Sequence, residues 1–227
     1  MAKPKQEKFA EIATFSNVYQ NVDLFKPQMI NSNGENISLK GLWNKNHFKN
    51  DQPITLELAC GKGDYTVALA EKFPNRNFIG IDIKGNRIWT GAKAALQRNL
   101  NNAAFLRTSI ELLYHFFEKD EVSEIWITFP DPFLRNSKSK KRLTSPYFLA
   151  VYKKIIVENG LIHLKTDNDP LFEFTLKTID GENAKLNQKV SNVYEQHPED
   201  EILTIQTYYE KMHLENGLTI KYLNFRL

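Results

Sequence analysis

The chain has 227 residues, 41% of them hydrophobic and 25% charged, with a formal net charge of +3. That size and balance suit one α/β core and give no global charge argument for a polyanionic partner, so local clustering has to carry that question. A single cysteine, Cys60, excludes an internal disulfide, and the five histidines are scattered without cysteine partners, which argues against a structural zinc site.

Met1–Lys8 is basic but lacks the apolar run of a signal peptide, and no apolar stretch approaches the roughly 20 residues that cross a bilayer, so a cytoplasmic protein is expected, away from membranes. Residues 1–45 read as an N-terminal arm, partly disordered over its first eight residues, with a turn at Asn31-Ser32-Asn33-Gly34. Residues 46–227 read as the catalytic domain. Its pattern alternates strand and helix: Ile54–Ala59, Phe78–Asp82, Ala103–Arg107, Glu124–Phe129 and Leu161–Lys165 as strands. Between and after them Asp64–Lys72, Asn86–Asn99, Ile110–Phe117, Pro146–Val157 and Pro170–Ile179 read as helices. The rhythm then changes, with Ala184–Ser191 a strand, Glu201–Leu214 a helix and Leu218–Arg226 a last strand. Such alternation predicts a mostly parallel sheet with helices on both faces.

The loop after the first of these strands, Glu57-Leu58-Ala59-Cys60-Gly61-Lys62-Gly63-Asp64, joins it to a helix. Gly61 and Gly63 permit close approach of a ligand to backbone, and Asp82 ends the next strand where doubly wound folds hold ribose hydroxyls. A dinucleotide fingerprint wants a further glycine where Thr66 stands. Glu57 inside the strand suits a cationic cofactor without phosphate, of which S-adenosylmethionine is an example. Glu57 either touches that ligand or bonds the backbone of its own glycine loop.

At the fourth strand's end, Phe129-Pro130-Asp131-Pro132-Phe133 sets one carboxylate between two prolines, which fix their own φ and push the residue before them towards extended backbone. Arg135, Lys138, Lys140, Lys141 and Arg142 follow, separated by Asn and Ser. An acid on a stiff turn beside a cationic loop points to chemistry on a polyanion; the alternative is a solvated surface loop.

These motifs, with Gly80-Ile81-Asp82, Lys140-Lys141-Arg142-Leu143, Thr166-Asp167 and Thr207-Tyr208-Tyr209-Glu210-Lys211, resemble in content and order the bacterial tRNA (guanine-N7-)-methyltransferases of the TrmB family. The resemblance covers about residues 54–227. It implies a class I S-adenosylmethionine-dependent methyltransferase (Rossmann-like) fold, a mostly parallel seven-stranded sheet with helices on both faces. It also implies methyl transfer to N7 of a guanosine at position 46, in the variable loop of tRNA, by a monomer or homodimer. Cofactor contacts would come from Glu57, Gly61, Gly63, Asp82, Thr108 and Asp131, and Asp131 would be catalytic. Substrate contacts would come from Arg135, Asp167, Thr207 and Glu210, and phosphate contacts from Lys138, Lys140, Lys141 and Arg142; no metal is implied.

Four departures stand out: Phe133 replaces the family's usual Trp, Arg135 stands where a Lys is frequent, Asn136, Ser137 and Ser139 leave no His before the basic cluster, and Thr108 offers a hydroxyl where a third acid is common. For Asp167 the alternative is a helix N-cap ahead of Pro170; for Thr207 and Glu210, one turn apart, it is an exposed helix face. A methyltransferase for a small molecule or protein is the rival reading, and it leaves the cationic loop unexplained. A non-catalytic RNA binder on the same scaffold is a third.

Overall fold

The computed structural model describes residues 3–227; Met1 and Ala2, the start of the expected arm, lie outside the described residues. In chain order the elements are α1 (Lys5–Ile12), β1 (Val18–Gln20), β2 (Met29–Ile30), β3 (Asn36–Ile37), β4 (Ile54–Leu58), α2 (Asp64–Lys72), β5 (Asn77–Asp82), α3 (Gly85–Gln97) and β6 (Ala103–Arg107). There follow α4 (Leu113–Phe116), β7 (Val122–Thr128), α5 (Pro146–Tyr152), β8 (Ile156–Thr166), α6 (Asp169–Gly181), β9 (Lys185–Val190), α7 (Val193–Gln196), α8 (Tyr208–Glu215) and β10 (Lys221–Arg226).

One sheet runs β3-β2-β1-β6-β5-β4-β7-β8-β10-β9. The seven strands from β6 to β9 are the sheet expected from the sequence. β6, β5, β4, β7 and β8 are mutually parallel, and β10 is inserted antiparallel between β8 and β9. Every residue of β4 is buried, as a central strand covered on both faces requires. Leu56, Leu58, Ile79, Ile81, Ile125 and Ile127 pack under α4, α5 and α6, while Phe78, Phe105 and Trp126 pack against α1, α2 and α3.

Three differences from the sequence reading have clear causes. Residues 3–45 are built into the body instead of forming an arm: β1 pairs in parallel with β6, and α1 buries Ile12 against the α3 side. Trp43 is fully buried, with Nε1–H donating to the Phe116 carbonyl at 2.9 Å. The helix expected over Pro146–Val157 stops at Tyr152, because Ile155 and Ile156 are buried and β-branched and Ile156 opens the long strand β8. The helix expected over Glu201–Leu214 is delayed to Tyr208. Asp200 accepts the Ile202 and Leu203 N–H groups in a separate turn, and Thr207 caps a fresh helix.

Candidate active site

The carboxyl ends of β4, β5, β6, β7 and β8 lie on one edge of the sheet, where open α/β folds bind ligands. Two cavities, about 540 and 300 Å³, share walls there: Ala59, Asp82, Ile83 and Asp131 line both.

The glycine loop forms the floor. Ala59 (φ 55°), Gly61 (φ 57°) and Gly63 (φ 73°) all take left-handed backbone as the chain turns from β4 into α2. Asp82 ties this loop to the next. It accepts the Gly61 N–H at 2.9 Å on one oxygen and the Lys84 N–H at 2.7 Å on the other, and it retains lone pairs for a ligand hydroxyl. The close helix–strand approach that a dinucleotide loop makes with a helix glycine is made here by glycines elsewhere. A Cβ on Gly80 of β5 would come within 2.9 Å of Thr66 Oγ1, and one on Gly63 within 2.6 Å of the Phe105 ring.

Glu57 stands apart from the cavity walls. It is 3% exposed, accepts the Thr66 N–H at 2.8 Å and the Thr128 hydroxyl at 3.0 Å, and also bonds the Thr66 hydroxyl. Of the two readings of this acid, the arrangement matches the internal brace, anchored on the first turn of α2. Burial pushes its carboxyl up to about 7, against the opposing pull of those hydrogen bonds. Thr108 is buried behind the smaller cavity, with its hydroxyl accepting from Asn21 Nδ2 at 3.2 Å. Ser109 and Glu111 line that cavity beside it, so an acid missing from position 108 is present three residues on.

The Pro-Asp-Pro turn separates the two cavities. Phe129, which precedes Pro130, has φ 49° and Phe133 has φ 42°, so both flanks are left-handed and the expected extended backbone at Phe129 is not found. Such strain in non-glycine residues concentrates at functional turns. Asp131 itself is exposed between the cavities. In the basic loop Arg135, Lys138, Lys140 and Lys141 are exposed, and Lys141 reaches the smaller cavity. Arg142 corrects the expectation of a phosphate contact. It is 6% exposed, and its guanidinium donates from Nε to the Pro132 carbonyl (3.0 Å) and from Nη2 to the Phe133 carbonyl (3.1 Å).

Asp167 lines the larger cavity, and the N-cap alternative falls to its neighbour: Asn168 Oδ1 accepts the Leu171 N–H at 2.9 Å. Asp167 Oδ2 instead lies 3.6 Å from His213 Nδ1, and the His213 ring is stacked on Phe129 with centroids 5.6 Å apart.

Thr207 and Glu210 prove to be the capping pair of α8. Thr207 Oγ1 accepts the Glu210 N–H at 3.1 Å, and Thr207 still lines the larger cavity. Glu210 corrects its expected substrate role and its exposed alternative alike. It is fully buried, with its carboxylate 2.8 Å from Lys165 Nζ and accepting Tyr194 OH at 3.0 Å. Lys165 on β8 is equally buried, and Glu210 is its ion-pair partner there.

The wall that sequence reading missed is the outer face of α8: Tyr208, Tyr209, Met212 and His213, with Lys62, Lys84 and Arg87 opposite. Lys62 Nζ lies 3.3 Å from the Tyr208 ring centroid. The available signal was the spacing of Tyr209 and His213, four residues apart on one helix face.

The cavities suit an uncharged purine end joined to a cationic centre. Ile83, Ile110, Leu143 and Phe148 make the smaller one largely apolar, and Asp64, Asp82, Asp131 and Asp167 bring four carboxylates to the larger, beside the cations Lys62, Lys84 and Arg87. Among the described residues no group of three or more His, Cys, Asp or Glu is placed to hold a metal ion, and no helix is long and apolar enough to cross a membrane.

A family model described as a putative methyltransferase matches residues 51–223. Among solved structures the chain resembles the 16S rRNA methyltransferase KamB with TM-score 0.63 at 14% identity, over 84% of this chain and 94% of that one, a likeness of fold. In sequence it is 47% identical to a Bacteroides fragilis tRNA (guanine-N(7)-)-methyltransferase over 100% of this chain and 87% of the relative. It is 46% identical to the Christiangramia forsetii protein of the same name, over 100% and 99%. Sheet order, glycine loop, Pro-Asp-Pro turn and full-length relatives thus agree, and the chain belongs to the tRNA (guanine-N(7)-)-methyltransferase family.

Proposed function

We propose that this protein methylates N7 of a guanine in tRNA, with S-adenosylmethionine as donor, in the cytoplasm. The observation that carries the reading is the exposed Asp131 on its strained turn, between a largely apolar cavity and a polar one lined by carboxylates and cations, with the basic loop running directly from it. When bound, the donor supplies an electrophilic methyl group on a sulfonium centre. Asp82 receives ribose hydroxyls, and the smaller cavity, with Ile83, Leu143 and Phe148, receives the adenine. Glu57 acts indirectly by holding α2, and with it the glycine loop, on the sheet.

Guanine N7 carries a free lone pair and no proton, so the chain needs no general base. Its residues align the two reacting atoms and oppose the charge that appears on the purine. Asp131 stabilises that charge more in the transition state than before it. Asp167 accepts from the guanine N1–H and exocyclic amine, which separates guanine from adenine. Arg135, Lys138, Lys140 and Lys141 take up phosphates. The test is incubation with methyl-labelled cofactor and bulk tRNA followed by digestion to nucleosides. Label in 7-methylguanosine is expected, and label only in another nucleoside, or none in RNA, refutes the proposal.

A further inference from the structure

We infer that Arg142 is a positioning residue for methyl transfer: it ties the far end of the basic loop back onto the turn that carries Asp131. The inference rests on the function proposed above for that turn. The loop leaves the turn at Leu134, winds through a short helical stretch over Asn136–Lys141, and returns at Arg142. There the guanidinium presents one edge to two successive carbonyls, Pro132 at 3.0 Å and Phe133 at 3.1 Å, immediately after Asp131. Its carbon lies 4.3 Å from the ring centroid of Phe174 in α6, which backs it from the other side. The next residue is fixed too, because the Leu143 carbonyl accepts the buried Tyr152 hydroxyl at 2.8 Å.

Three features separate this arginine from a phosphate contact. It is 6% exposed, whereas Arg135, Lys138, Lys140 and Lys141 are open to solvent. Among the described residues it has no carboxylate partner, and its charge is buried against two carbonyls and a ring, where desolvation is costly. Finally, a lysine could not reproduce the tie, since two adjacent carbonyls match the rigid paired edge of a guanidinium and not a single ammonium. Pro130 and Pro132 fix their own φ, but neither supplies an N–H to anchor the turn. With Phe129 and Phe133 both at positive φ, the turn needs an external tie to hold Asp131 in place. Phosphates landing on Lys138, Lys140 and Lys141 then bear on a loop whose two ends are joined at the catalytic carboxylate.

Arg142→Lys and Arg142→Ala test this beside a Lys138/Lys140/Lys141 triple-alanine variant. For both Arg142 variants kcat is expected to fall about 10- to 100-fold, as small misplacements of a catalytic group do, with KM for tRNA and the salt dependence of binding unchanged. Added methylguanidinium should restore part of kcat to Arg142→Ala and none to the triple variant. The triple variant should instead raise KM and flatten the salt dependence. A raised KM with unchanged kcat in Arg142→Lys, or full kcat in that variant, overturns the inference. If Arg142→Ala does not fold, Arg142→Lys, which keeps the charge and the stem, decides by the same readings. Faster amide exchange in Arg142→Lys at Lys138 and Ser145, whose N–H groups donate to the Arg135 and Arg142 carbonyls at 2.9 Å each, is a further expected result, and unchanged exchange there refutes the tie whatever the substrate proves to be. Wild-type protein that makes no 7-methylguanosine would refute the functional reading while leaving that exchange measurement intact.

Discussion

Asp131 and Glu57 are both acids near the sheet edge, and their surroundings give them opposite work. Asp131 is exposed on a strained turn and can face a developing cation. Asp131→Asn should lower kcat about 100- to 1,000-fold, the usual scale for one preorganised electrostatic group, while calorimetry still detects cofactor binding. Retained activity would remove Asp131 from the reaction. Glu57 is enclosed, and burial raises its carboxyl from 4.5 to about 7. The folded protein therefore binds this proton more tightly than the unfolded chain does. Its stabilising contribution is full below about pH 4.5 and is lost as pH rises through about 7, a change on the order of 3 kcal/mol. Glu57→Gln abolishes that titration, so urea unfolding should show the variant gaining on wild type between pH 5 and pH 8. Parallel pH profiles for the two proteins would contradict the assignment.

Helix α8 supplies a wall of the larger cavity, yet a buried charge pair at its first turn holds it in place. Burial pushes Glu210 up and Lys165 down, and their mutual attraction opposes both shifts. Removing one partner strands the other charge in the interior. Glu210→Ala should therefore cost about 3–5 kcal/mol of stability, whereas the paired Lys165→Met and Glu210→Leu replacement should recover most of it. Denaturant melts of the singles and the double measure the coupling directly, and additive losses would show that the pair does not act as a unit. Thr207→Ala should cost about 1 kcal/mol through the lost cap. Its effect on activity follows from how far Tyr208, Tyr209 and His213 shift with the helix.

For the molecule as a whole, charge matters by where it lies, because the net value is only +3. Arg135, Lys138, Lys140 and Lys141 put a dense run of exposed cations on one loop, and exposed Lys84 with half-buried Lys62 and Arg87 lines the larger cavity. Replacing Lys138, Lys140 and Lys141 with alanine should lower the slope of log affinity for tRNA against log salt by about 2–3, close to one counterion per phosphate contact. An unchanged slope, measured from 50 to 200 mM salt, would mark the loop as a solvated surface.

Local pattern was enough for the βα alternation, the seven strands from β6 to β9, the glycine loop and the Pro-Asp-Pro turn. Period, glycine, proline and chain order are properties of neighbouring residues, and the family resemblance rested on the same short motifs. Packing between distant segments decided the rest. Residues 3–45 joined the body because β6 would otherwise be an open sheet edge, which no spacing within that segment announces. Ile155 and Ile156 extend the apolar pattern of α5 in sequence, but they lie in and beside a buried strand position. Most plainly, Arg142 looks like its basic neighbours and Glu210 looks like half of a substrate box. Each was taken out of solvent by partners far along the chain or across a turn, Phe174 for one and Lys165 for the other. A side chain's charge is written in the sequence, but whether it meets water, ligand or a buried partner depends on the tertiary neighbours that decide its desolvation.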